Sequence, residues 1–187
     1  MYFFDKITFK FRNKIILNLL TFLTKVLLYL PTELSHFLAL NGLKLITILG
    51  FKIKQNKIEE RFFFNLNIIN SLGLAAGLDK NGDYIDSLAA LGFGFLEIGT
   101  VTPKPQYGNQ KPRLYRDKPS TAIVNSMGFN NKGVNHLVKQ LKKRKSVIPI
   151  GVSIGKNFDT PNDLAIKDYL YCLDKVFEEA DYIAINV

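Results

Sequence analysis

The sequence predicts an α/β fold in which a parallel sheet is wound with helices, preceded by a helical element of different character. Three observations predict it. Beyond residue 60 a short apolar run, a loop and a helix-like segment follow one another repeatedly, the cadence of parallel strands joined by right-handed crossovers. The loops after the apolar runs collect glycines, amides and a lysine, at the strand ends where α/β proteins meet their ligands. Residues 1–60, by contrast, read as apolar helices with basic flanks. The chain therefore divides into an N-terminal helical element, 1–60, and an α/β unit, 61–187.

Composition bounds the function. With 187 residues and 47% hydrophobic content the chain suffices for one globular core. The net charge of +9 is uneven: residues 1–61 hold ten Lys/Arg against four Asp/Glu. A basic, apolar N-terminus points to an anionic surface, lipid headgroups or nucleic acid. Cys172 is the single cysteine, which excludes an intramolecular disulfide or a cysteine-based metal site in this chain and fits a cytosol-facing location. No metal is expected.

Ile15 to Leu30 is apolar and follows Lys6, Lys10, Arg12 and Lys14. It lacks the small-residue cleavage site of a signal peptide. A membrane span needs roughly 20 apolar residues, and Asn18, Thr21, Thr24 and Lys25 interrupt this one on a single helical face. Pro31-Thr32-Glu33 opens a second helix, Leu34 to Leu49, with Gly50 as its C-cap. Two readings stay open: an amphipathic element lying on a membrane surface, or a helical hairpin packed on the rest of the protein.

The α/β unit opens with a hairpin over residues 61–70, rich in aromatic and β-branched residues. Strands follow at Leu72–Ala76, Phe95–Ile98, Ile148–Ile154 and Tyr182–Val187. The helices between them are Tyr84–Leu91, Gly133–Lys145 and Asn162–Glu179. A doubly wound sheet and a (β/α)8 barrel both suit this pattern. A barrel needs eight such units in about 250 residues, so four are half of one.

Each motif carries a plain structural reading beside a functional one. Gly73-Leu74-Ala75-Ala76-Gly77 lacks the spacing of a dinucleotide fingerprint; its small residues either make a tight turn or let a flat ring approach the backbone. Lys80 is a solvated surface charge, or a cation for a substrate carboxylate fixed by Asp79 and Asn81. The block Asn125-Ser126-Met127-Gly128-Phe129-Asn130-Asn131 offers donors and acceptors for imide and amide edges. Capping of the next helix by Asn130 or Asn131 explains one asparagine and not the block. The long excursion from Thr100 to that block has the length of a functional or disordered loop. His36 is a ligand, a base, or simply a buried helix residue. Lys142-Lys143-Arg144-Lys145 ends a helix, where cations favour the macrodipole, a better account of the run than nucleic-acid binding. Cys172 reads as a small core residue.

Five motifs in order carry a resemblance: Leu74 to Gly82, Glu97 to Pro103, Lys111 to Arg116, Asn125 to Asn131, and Ile154-Gly155-Lys156-Asn157. Together they resemble the dihydroorotate dehydrogenase family, and the basic helical N-terminus resembles its quinone-dependent, membrane-associated class. The resemblance implies a (β/α)8 TIM barrel of which about the first four strands are present. It implies FMN as cofactor, dihydroorotate and orotate as substrate and product, and a membrane quinone as acceptor, in pyrimidine synthesis. It further implies a peripheral place on the cytoplasmic side of the inner membrane, with no nucleic-acid partner. By position, Ala76, Gly77, Leu78, Asp79, Lys80, Thr100, Ser153 and Asn186 would contact FMN. Lys80, Asn125, Ser126, Met127, Gly128, Phe129 and Asn186 would hold the orotate, and His36 and Arg116 would line the quinone site. Two departures stand out. Ser153 occupies a position where the family has an asparagine, and the family's serine base would lie beyond Val187. The 187 residues alone are thus expected neither to close a barrel nor to turn over substrate. The alternative expectation is an inactive product that retains only a basic membrane-surface module.

Overall fold

The computed structural model describes residues 18, 21–50, 52, 61–63, 65–117 and 119–187. The basic flank at Lys6, Lys10, Arg12 and Lys14 lies outside the described residues, as does the start of the first helix, described over 21–27.

Helix α1 (Thr32–Ile48) starts after Pro31, carries Glu33 in its first turn and ends at Gly50. Gly50 takes φ +91° and donates its N–H to Thr47 O at 3.0 Å, the left-handed stop that glycine permits without strain. Ser35 and Leu40 are its buried residues, and Leu40 belongs to the main core. Much of its remaining apolar surface is uncovered: Phe37, Leu45, Ile48 and Leu49 are all more than half exposed.

Strands β1 (Arg61–Phe63) and β2 (Leu66–Ile68) form the expected antiparallel hairpin, with Asn65 at φ 60° in the turn. The main sheet holds β3 (Gly73–Leu74), β4 (Phe95–Val101), β7 (Ile150–Ile154) and β8 (Tyr182–Ile185), all parallel and in the order β3-β4-β7-β8. Its strands are those the apolar runs predict, and β3 is much the shortest. One face, with Leu96, Ile98, Ile150, Val152 and Ile154, meets Ile85 and Leu88 of α2 (Ile85–Ala89). The same face packs on Val134, Leu137 and Leu141 of α3 (Val134–Leu141), and on Cys172 and Val176 of α4 (Ala165–Val176). A 3-10 turn, Asn162–Leu164, leads into α4. Cys172 is fully buried and its thiol is pushed up to about 12 by burial, in keeping with a small core residue.

The other face carries Phe95 opposite Gly73, and Glu97, Gly151 and Tyr182 in register. A Cβ on Gly151 would stand 2.0 Å from the Tyr182 ring, so glycine there lets the ring lie flat across β7. The Tyr182 hydroxyl donates to Glu97 Oε2 at 3.3 Å.

Two expectations need correction. The excursion after β4 contains a second hairpin, β5 (Leu114–Asp117) with β6 (Ala122–Asn125), which turns through Thr121 at φ 54°. Asn125 therefore ends a hairpin strand and not a strand of the parallel sheet. Helix α3 also stops at Leu141. The basic run lies beyond it, where Lys142 pairs with Glu179 at 3.6 Å and Arg144 with Asp181 at 3.7 Å.

Candidate active site

The turn after β3 is built by hydrogen bonds to β4 and by one buried carboxylate. Gly77, at φ +113°, donates its N–H to Gly99 O at 2.8 Å, and Gly99 donates to Asp79 O at 3.1 Å. Asp79 is 3% exposed, and its side chain accepts N–H bonds from Asn81, Asp83 and Tyr84. Burial raises its pKa against the pull of those bonds. The Asp79 carboxylate thus folds the turn, and what it leaves at the site is backbone. Ala76, Gly77 and Lys80 are half-buried on this turn and Leu78 is exposed. Lys80 Nζ donates to Gly77 O at 2.7 Å. Burial, and then the neighbouring Arg113, hold its pKa below the usual lysine value, with Glu33 and Asp79 opposing.

Three strands bring one polar side chain each to their C-terminal ends. Asn186, just past β8, donates Nδ2–H to Thr100 Oγ1 of β4 at 2.8 Å, and Thr100 Oγ1 lies 2.9 Å from Ser153 Oγ of β7. Thr100 and Ser153 are buried and Asn186 is half-exposed. The shorter side chain at 153 is thereby satisfied by its neighbour on the next strand.

Above these ends sits the asparagine-rich loop. Gln106 Nε2 donates to Gly128 O at 3.1 Å, and Asn109 Nδ2 to Ser126 O at 2.8 Å. Gly128 has φ +70° and backs onto Asn109. Phe129, at φ 51°, turns its ring to Gly155, where a Cβ would stand 3.2 Å from the ring and 2.9 Å from Thr100 Cγ2. Loop and strand ends thus converge on one spot. Asn125 and Ser126 are exposed, and Asn130 Oδ1 is buried without a partner. No side chain caps α3, whose N-cap is Gly133; Asn131 instead ties down the approach to it, its Oδ1 accepting from Gly133 N at 2.7 Å and Thr102 N at 3.3 Å. Its Nδ2 donates to Thr102 Oγ1 and Phe129 O.

Helix α1 flanks this site. Burial lowers the pKa of His36 and the charge on Lys80 lowers it further. Arg116, on β5, donates Nη1 to Leu28 O (3.0 Å) and Leu30 O (2.6 Å), and Nη2 to Ser35 Oγ (2.9 Å). It pins the turn between the two N-terminal helices. Sequence reasoning passed over Gln106 and Asn109, which support the loop from beneath, and named Asn157 only within a motif; its Nδ2 donates to Lys104 O and Gln106 Oε1. An excess of side-chain amides in the excursion is the one signal that marks them.

The model of the dihydroorotate dehydrogenase family matches residues 59–187. The chain belongs to the dihydroorotate dehydrogenase family. It is 51% identical over 168 residues to the dihydroorotate dehydrogenase (quinone) of Cellvibrio japonicus, covering 87% of this chain and 48% of that protein. Against the protein of the same name from Buchnera aphidicola it is 49% identical over 166 residues, covering 87% and 49%. Among solved structures it resembles DHODH from Eimeria tenella in complex with ferulenol, with TM-score 0.72 and 35% identity over 82% of this chain and 43% of that one. The chain thus spans about half the length of the curated family members it matches. The four parallel strands are the part of the family's TIM barrel that it contains.

Proposed function

We propose that these residues form the flavin- and substrate-facing part of an FMN-dependent enzyme that oxidises dihydroorotate to orotate for pyrimidine synthesis, with a quinone as acceptor. The observation that carries the reading is the relay Asn186–Thr100–Ser153 across three adjacent strand ends, with Lys80 beside it and the Asn125–Phe129 loop above.

The residues fit the cofactor. A Cβ on Gly77 would meet nothing within 4 Å, so the turn leaves room for a flat ring against the backbone. Ala76, Gly77, Leu78 and Asp79 supply that backbone, and Thr100, Ser153, Asn186 and Lys80 supply polar groups at its edge. FMN, when bound, supplies the two-electron oxidation.

The remaining work is positioning and charge compensation. The Lys80 ammonium, held by Gly77 O, has two further protons for a substrate carboxylate. Asn125, Ser126, Met127, Gly128 and Phe129 form a loop whose amides suit imide edges, and Asn186 would serve both flavin and substrate. Removal of the substrate proton is assigned to none of the described residues. His36 and Arg116 are proposed to line the quinone site. The uncovered apolar surface of α1 and of residues 21–30 supports peripheral attachment to the cytoplasmic face of the inner membrane. Among the described residues no helix is long and apolar enough to cross one.

The test is a dihydroorotate:quinone assay on the enzyme purified from its native source, beside Lys80→Met. Loss of one charge-assisted contact, about 1.5–3 kcal/mol, should weaken substrate use at least tenfold. Equal activity of the two proteins contradicts the assignment of Lys80.

A further inference from the structure

Arg113 joins two parts of the molecule that the reaction keeps separate. It is 8% exposed, and Nε donates to Glu33 Oε1 of α1 at 2.8 Å. On its other side Nη1 donates to the carbonyls of Tyr107 and Asn109. Its own carbonyl accepts the Ser126 N–H at 2.9 Å. Asn109, held by Arg113, donates its side-chain amide to Ser126 O and Oγ and its N–H to Met127 O. The hairpin register sets Leu114 opposite Asn125, so the start of the loop moves with the strand that follows Arg113.

We propose that Glu33 is a positioning residue for the planar anion, coupling the docking of α1 to the shape of the Asn125–Phe129 loop through Arg113. The inference rests on the reading of that loop as the orotate-binding loop. The physical basis is an asymmetry between the two partners of Glu33. Lys111 also reaches it, at 2.8 Å, but is 68% exposed, and exposed pairs contribute little. Arg113 is buried, and a buried guanidinium that loses its carboxylate must move to find another partner. Its movement would release the carbonyls of Tyr107 and Asn109, and with them the frame of Ser126 and Met127. Because linkage is reciprocal, substrate on the loop should tighten α1 as much as docked α1 tightens the loop. The acceptor side and the substrate side would then sense one another without sharing a ligand.

Hydrogen–deuterium exchange on the flavin-loaded enzyme tests this, with and without orotate, for the wild type, Glu33→Gln and Lys111→Met. Expected in Glu33→Gln is about tenfold faster exchange at Ser126 and its loop, with β4 and β7 unchanged. Orotate should slow exchange in α1 of the wild type and not in Glu33→Gln, while Lys111→Met behaves as wild type. Loop exchange in Glu33→Gln equal to wild type would overturn the coupling. So would an equal response to Lys111→Met, or a loosening of β4 and β7 that matches the loop. A wild-type enzyme that binds no orotate would sink the functional reading instead, and the loop's response to Glu33→Gln would still decide the coupling.

Discussion

Lys80 is tied to its own turn through Gly77 O, and the same ammonium is the one proposed to meet the substrate carboxylate. Burial and Arg113 hold its pKa below the ordinary lysine value of 10.5, because both disfavour the charged form. A bound carboxylate favours that form and opposes the shift. Orotate affinity should therefore fall as pH rises through the pKa of the free enzyme's Lys80, with a midpoint below 10.5. Binding titrations between neutral and alkaline pH will show this, and a midpoint that survives in Lys80→Met would assign it elsewhere. Asn131 is the opposite case, a residue whose capacity is used within the fold. Asn131→Ala strands the N–H groups of Thr102 and Gly133, and should cost about 3 kcal/mol in urea unfolding. Sequence offered Asn130 or Asn131 as a cap, a role neither fills, and could not show the bonds of Asn131 to Thr102, which lies 29 residues away.

At the scale of elements, the strands of the main sheet were legible because β4 and β7 are buried almost throughout, and burial writes a continuous apolar run. The hairpin β5–β6 was not. Every residue of β6 is exposed, so no core imposes alternation on it, and its attachments reach far along the chain. Arg116 contacts Leu30 across 86 residues and Arg113 contacts Glu33 across 80. The hairpin is held as a strut between the N-terminal helices and the Asn125–Phe129 loop. Arg116→Gln removes most of one such tie. It should speed amide exchange over residues 21–30 by roughly the factor of ten that a charge-assisted pair provides, with exchange in β7 unchanged. Slowed or unaltered exchange there would mean that the helices dock without it.

For the whole molecule, the structure shows how the second N-terminal helix joins the parallel sheet. Helix α1 buries Leu40 in the core and leaves Phe37, Leu45 and Ile48 at 58–74% exposure. The buried Leu40 bears on the packed reading of this element, and the uncovered face is the one that the proposed membrane attachment would use. Phe37→Glu with Ile48→Glu changes exposed positions, where the cost to stability is usually within about 0.5 kcal/mol. The pair should cut vesicle flotation of the enzyme several-fold without lowering its melting temperature. Undiminished flotation would put the membrane contact on another surface.

The measurement that bears most directly on the site is a flavin absorbance titration with orotate, on protein purified from its native source. Expected is a yellow protein with one FMN per chain whose spectrum shifts and saturates as orotate is added. The shift should be lost when Asn125 is replaced by alanine. A colourless protein, or a flavin spectrum indifferent to orotate, would contradict the proposed function.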